Sequence, residues 1–125
     1  MRRTSLQAKL KFMNDLKPRT KRFALDVILF SRGLPRGDEF TVIKRQLIRS
    51  ATSVAANYRA TQRAKSKADF INKMGTTEEE ADGSLFWLEC LFELATSEHA
   101  ELNRLLKEAN ELTAILVASR KRARE

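Results

Sequence analysis

Few residues here can do chemistry. The chain of 125 residues contains one cysteine and one histidine, with four glycines and two prolines as its only strong breakers. A lone Cys90 cannot form an intramolecular disulfide, so it reads as a small apolar residue rather than a nucleophile. With His99 as the single histidine, no Cys/His pair has zinc-ligand spacing. The Glu-x-x-His element of di-iron bundles is missing too, because Thr96 stands three residues before His99. No glycine-rich loop is present to cradle phosphate, and no Ser-His-Asp set can be assembled. Glu78, Glu79 and Glu80 supply three carboxylates, but consecutive helical residues diverge, and a solvated face is the simpler reading. The expectation is a protein that is not an enzyme and needs no cofactor or metal.

Long apolar runs are also missing. The densest patch, Leu85-Phe86-Trp87-Leu88, is followed at once by Glu89, too soon for a bilayer span. The opening Met1-Arg2-Arg3-Thr4-Ser5-Leu6-Gln7 lacks the apolar core of a signal peptide. A cytoplasmic protein with no membrane partner is expected.

What the chain has is charge, unevenly placed. Its formal net charge is +8, yet residues 1–66 carry sixteen Lys/Arg against four Asp/Glu, and residues 67–125 carry eight against twelve. A basic half suits a polyanion, such as RNA, DNA or an acidic protein. A basic half beside an acidic half suits self-association equally well.

Apolar spacing is helical throughout, and no stretch alternates for long with a period of two. A first helix over 18–32 aligns Phe23, Val27, Phe30 and Leu34, and Gly33-Leu34-Pro35-Arg36-Gly37 ends it. Asp38 is a good N-cap for a second helix running to about Arg63, with Phe40, Ile43, Leu47, Ala51, Val54 and Tyr58 on its apolar side. Ser66-Lys67-Ala68-Asp69 resembles a capping box. It opens a third helix over 67–95, whose core line is Phe70, Met74, Thr77, Ala81, Leu85, Leu88 and Phe92. Thr96-Ser97-Glu98 reads as a turn with Ser97 as the next cap. The fourth helix carries Leu102, Leu105, Ala109, Leu112 and Leu116, then frays at 120–124. Short connections force neighbouring helices antiparallel. The fold class is therefore all-α: one domain over 1–125, an up-down-up-down four-helix bundle over 18–122 behind a basic extension over 1–17. In that extension Leu6, Leu10, Met13 and Leu16 keep helical spacing between Lys9, Lys11 and Lys17, which fits a short extra helix or a basic arm.

Two surface features are the functional candidates. At ~100° and ~1.5 Å per residue, Arg45, Arg49, Arg59 and Arg63 fall within roughly 80° of arc over ~27 Å, opposite the apolar side of the second helix. Forked hydrogen bonds from these guanidiniums suit successive phosphates of structured RNA or a DNA duplex, with Lys65, Lys67, Arg2 and Arg3 extending the surface. No aromatic platform for single-stranded bases is interleaved with them. The competing account pairs the arginines with Glu78, Asp82, Glu89 and Glu93 of the third helix, within the bundle or between subunits. For Arg49 and Asn57 that structural role is favoured, whereas Arg59, Arg63 and Lys65 are the better nucleic-acid residues. The second feature is an apolar line of Trp87, Leu91 and Leu94, set ~120° from the core line by the same rotation. It is assigned to an oligomer interface, with a second neighbour inside the bundle as the alternative.

The stretch Gln46-Leu47-Ile48-Arg49-Ser50-Ala51-Thr52-Ser53-Val54-Ala55-Ala56-Asn57-Tyr58-Arg59-Ala60 resembles the signature of the bacterial four helix bundle protein family. The likeness continues in Arg63-Ala64-Lys65-Ser66-Lys67-Ala68-Asp69-Phe70, in Glu79-Glu80-Ala81-Asp82 and in Leu85-Phe86-Trp87-Leu88-Glu89, and it spans about residues 25–120. That family includes intervening-sequence proteins, encoded within inserts in large-subunit ribosomal RNA genes. The resemblance implies an antiparallel four-helix bundle and a ring-like homopentamer. Related accessory variability determinants of diversity-generating retroelements bind nucleic acid and a reverse transcriptase, which makes such a polymerase a candidate protein partner. Gly83 departs from the pattern, standing where a helix-favouring residue is expected. It implies a close backbone approach or a locally weak helix.

Overall fold

Three of the four helices start where a side chain accepts from a first-turn N–H group, and the remaining one starts at a glycine. The computed structural model describes residues 15–125 as α1 (Leu16–Ser31), α2 (Asp38–Thr61), α3 (Lys67–Leu94) and α4 (Ala100–Arg124). The extension through Leu6, Leu10 and Met13 lies outside the described residues. Asp15 caps α1 by accepting from the Lys17 N–H at 3.1 Å, so the helix begins at Leu16. Pro18 then falls within the first turn, where its missing N–H costs nothing.

The cap of α2 is Gly37, not Asp38. Its φ of 138° suits glycine, and a Cβ there would run into the Glu39 carboxylate. Asp38 and Glu39 instead occupy the first turn of α2, where negative charge complements the helix dipole. Ser66 caps α3 as the sequence suggests, accepting from the Asp69 N–H at 3.0 Å. Asp69 reaches back to the Lys65 N–H, also at 3.0 Å. The cap of α4 is His99 rather than Ser97: its Nδ1 accepts from the Leu102 N–H at 3.3 Å, and its ring meets Phe30 edge-on at 5.2 Å. His99 is thus a structural cap that keeps an exposed ring.

The helices pack in ring order, α1 on α2, α2 on α3, α3 on α4 and α4 on α1, while the backbones of the diagonal pairs stay apart across the core. Cross-contacts give the directions. Arg19 meets Glu108 and Asp26 meets Arg104, so α4 descends as α1 ascends. Ser50 faces Ser84 in α2 and α3, and Arg120 of α4 reaches back to Ile71 near the start of α3. The topology is up-down-up-down.

Leu102, Leu105, Ala109, Leu112 and Leu116 of α4 are all buried, as their spacing indicates. The core face of α3 differs from the expected line. Apart from Gly75 under Arg120, the buried positions are Met74, Thr77, Ala81, Ser84, Leu88 and Leu91, in alternating steps of three and four, which is the heptad repeat of helices packed at a shallow angle. The expected line steps from Ala81 to Leu85, past the polar Ser84, and so drifts off the seam. Phe92 consequently lies 53% exposed, while Leu91 is only 3% exposed. Ser84 belongs inside because α2 and α3 approach closely there. It donates to Ser50 Oγ at 3.1 Å, and Ser50 donates to the Leu47 carbonyl at 3.2 Å, so both buried hydroxyls are satisfied.

Two glycines of α3 behave differently. A Cβ on Gly75 would press on the Arg120 guanidinium at 3.0 Å, where that side chain crosses α3 to donate to the Ile71 carbonyl. A Cβ on Gly83 would meet only Ser50 Cβ, at an ordinary 3.8 Å. Gly83 is therefore a weak point of the helix rather than a required close approach.

Candidate nucleic-acid interface

The outward face of α2 is opposite its buried Ile43, Leu47, Ser50, Ala51 and Val54. That geometry fixes where the arginines point. Arg45, Arg59 and Arg63 are exposed, and among the described residues none has a carboxylate within ion-pair distance. Lys65 and Lys67, on either side of the Ser66 cap, are exposed as well. Only the Lys65 backbone N–H is engaged, by Asp69. Arg63, Lys65 and Lys67 thus surround the N-terminus of α3, the end of a helix dipole that favours anions.

Arg49 is a different case. Its guanidinium reaches Glu80 of α3 at 3.0 Å and Gln46 one turn back at 3.3 Å. Asn57 donates to the Ser53 carbonyl of its own helix at 2.8 Å. Both act within the bundle.

The acidic stripe of α3 is not consumed by the arginine stripe. Glu78 lies 3.8 Å from Arg120, Glu80 takes Arg49, and Glu79 points to solvent, so the three consecutive glutamates diverge to three destinations. Asp82, Glu89 and Glu93 are exposed without an ion-pair partner among the described residues. Among those residues no three His, Cys, Asp or Glu side chains gather as metal ligands, and no helix is long and apolar enough to cross a membrane.

Other arginines are held firmly. Arg19 makes a forked contact with Glu108, Nε to Oε2 at 2.8 Å and Nη2 to Oε1 at 2.7 Å, with Glu111 at 3.1 Å. The hydrogen bonds that Arg19 donates to Glu108 raise the Arg19 pKa further above its ordinary value against the opposing effect of burial. Arg104 bridges Glu101 and Asp26, and its hydrogen bonds hold the Glu101 carboxyl below the ordinary range. Lys73 does the same for Asp69.

Of the expected oligomer residues, Leu94 is exposed and Trp87 is half-buried against the core, its ring edge-on to Phe86 at 4.9 Å. Leu91 cannot serve: it lies on the core seam of its own bundle, on the heptad step that follows Leu88. The structure also adds two cations that the sequence left in the extension or unassigned. Lys17 and Lys21 sit on the exposed side of α1 and share a groove with Arg59. Their spacing of one helical turn is the signal that marks them, once Leu16 is known to be inside α1.

The ring-ordered bundle with a seam of alternating three- and four-residue steps defines the class as an all-α antiparallel four-helix bundle. The chain belongs to the 23S rRNA-intervening sequence protein family, whose model matches residues 14–118. A solved structure from Bacteroides thetaiotaomicron, a protein of unknown function from the S23 ribosomal protein family, is similar at 28% identity and a TM-score of 0.76. The match covers 85% of this chain and 98% of that one. No curated protein matches the chain.

Proposed function

We propose that the protein is a non-enzymatic, homo-oligomeric bundle that binds structured RNA or duplex DNA through backbone charge, as an accessory subunit of a larger complex. The observation carrying this reading is the outer edge of α2 and the turn after it, where Arg45, Arg59, Arg63, Lys65 and Lys67 stand exposed with no carboxylate partner among the described residues. Elsewhere the fold neutralises arginine, at Arg19, Arg49 and Arg104. Cations left unpaired on a helix that has acids one helix away are available to an external anion. Phosphate contacts of this kind follow charge rather than base sequence, and they weaken linearly in log salt with a slope set by the number of phosphates neutralised.

Arg49 is left out of this contact, because its guanidinium already holds Glu80 at 3.0 Å. The test is fluorescence anisotropy of a labelled RNA hairpin and a DNA duplex, titrated at several salt concentrations. Wild type is compared with Arg59→Ala/Arg63→Ala/Lys65→Ala at equal oligomeric mass. Salt-sensitive binding with a shallower slope in the variant supports the reading. No binding at low salt removes it.

A further inference from the structure

Two exposed surfaces of the chain are left unused by the bundle, and they complement each other. The first is a groove of about 630 Å³ between α1 and α2. Its floor is small and apolar, formed by Ala24, Leu25, Ile28, Ala55 and Ala56, with Leu25 still 40% exposed. Lys17, Lys21 and Arg59, the last shared with the cationic edge, line one end, where α1 begins and α2 nears its end. The second is the ridge of α3 directly away from its core seam. Asp82, Phe86, Glu89 and Glu93 fall there within roughly 60° at ~100° per residue, and Phe86 is 53% exposed. A phenylalanine set among acids has no aromatic partner among the described residues except the edge of Trp87.

The groove is open along its length, so a small molecule in it would keep much of its surface in water, unlike the enclosed sites such ligands use. Its alanine floor instead allows the close approach of another helix. The occupant must be acidic with an apolar centre, which is the description of the α3 ridge. That ridge cannot reach the groove of its own chain, since the α3 backbone lies beside α2 and α4 and stays apart from α1 across the core.

We propose that the α3 ridge of one copy seats in the α1–α2 groove of the next, with Phe86 on the alanine floor and Asp82, Glu89 or Glu93 against Lys17 and Lys21. The contact is heterologous, head to tail, so every copy offers one groove and one ridge and assembly proceeds to a ring or a filament. The inference rests on the homo-oligomeric part of the proposed function and not on its nucleic-acid part.

Sedimentation velocity of the full chain tests it, with a groove variant, Lys21→Glu/Leu25→Ser, and a ridge variant, Phe86→Ser/Glu89→Lys. All four positions are exposed, and circular dichroism checks that each variant keeps its helicity and melting. Wild type sediments as an assembly larger than a dimer, and each variant alone as a monomer. An equal mixture gives a species of two chains, because the intact ridge of one variant fits the intact groove of the other. Single reversals, Lys21→Glu and Glu89→Lys, each weaken association at least tenfold, and a chain carrying both regains part of the loss. A monomeric wild type overturns both the homo-oligomeric reading and this contact. An assembled wild type whose variants also stay assembled, or a mixture that stays monomeric, overturns the contact alone.

Discussion

The seam between α1 and α4 and the outer edge of α2 hold the same residue type in opposite circumstances. On the seam, Arg19 is gripped by Glu108 and Glu111, and Arg104 by Glu101 and Asp26. On the edge, Arg45, Arg59 and Arg63 meet no carboxylate among the described residues. The α1–α4 seam also has the fewest close backbone approaches of the four, and its ion pairs reach across it. A net charge says nothing about this division. What separates a structural arginine from an available one is whether the opposing helix supplies an acid at the same height.

The comparison can be broken or sharpened by substitution, beginning with the core that both regions share. Leu112→Ala leaves a cavity in a fully buried position and lowers stability by about 2–5 kcal/mol, measured by urea denaturation. It should weaken the seam and the edge alike. Arg19→Ala removes a forked, half-buried contact and strands Glu108, with an expected loss of about 1.5–3 kcal/mol. Arg59→Ala stays within about 0.5 kcal/mol of wild type, and equal losses at the two sites would erase the distinction between seam and edge. Gly83→Ala should stabilise α3 by about 0.5–1 kcal/mol, because only ordinary contact with Ser50 awaits the new methyl group.

The smallest effect concerns pH. Glu101 and Asp69 titrate below the ordinary carboxylate range, held there by Arg104 and Lys73. Their stabilisation is therefore present above the unfolded-state value and is lost as pH falls through the depressed ones. A urea midpoint series from neutral to acidic pH should show a shallower acid loss in Glu101→Gln than in wild type, while Arg59→Ala keeps the wild-type slope.

Much of the frame was legible because leucine announces it. The α4 line needed only Leu102, Leu105, Ala109, Leu112 and Leu116, and the apolar side of α2 was equally plain. The α3 seam was legible only as far as Thr77 and Ala81, because Ser84 occupies a core position that a hydrophobicity pattern skips, and skipping it moved Phe92 inward and Leu91 outward. Capping by His99 was hidden by a residue type that rarely serves there, with Ser97 nearby as a decoy. For the candidate site, α2's periodicity placed all four arginines on the outer face. It could not show that Glu80 takes Arg49, since that pair joins residues 31 positions apart. Nor could it show that α1 brings Lys17 and Lys21 beside Arg59. Spacing along one helix reveals a stripe; only packing between helices reveals which members are spent.

The most direct measurement is the salt dependence of RNA-hairpin binding by wild type and by Arg59→Ala/Arg63→Ala/Lys65→Ala. If the unpaired edge of α2 holds phosphates, wild type binds in a salt-sensitive way. The log–log slope of the variant is then shallower by about 0.9 for each duplex phosphate it no longer neutralises. An unchanged slope in a folded variant of wild-type mass, or a wild type that does not bind at low salt, would contradict phosphate binding at this edge.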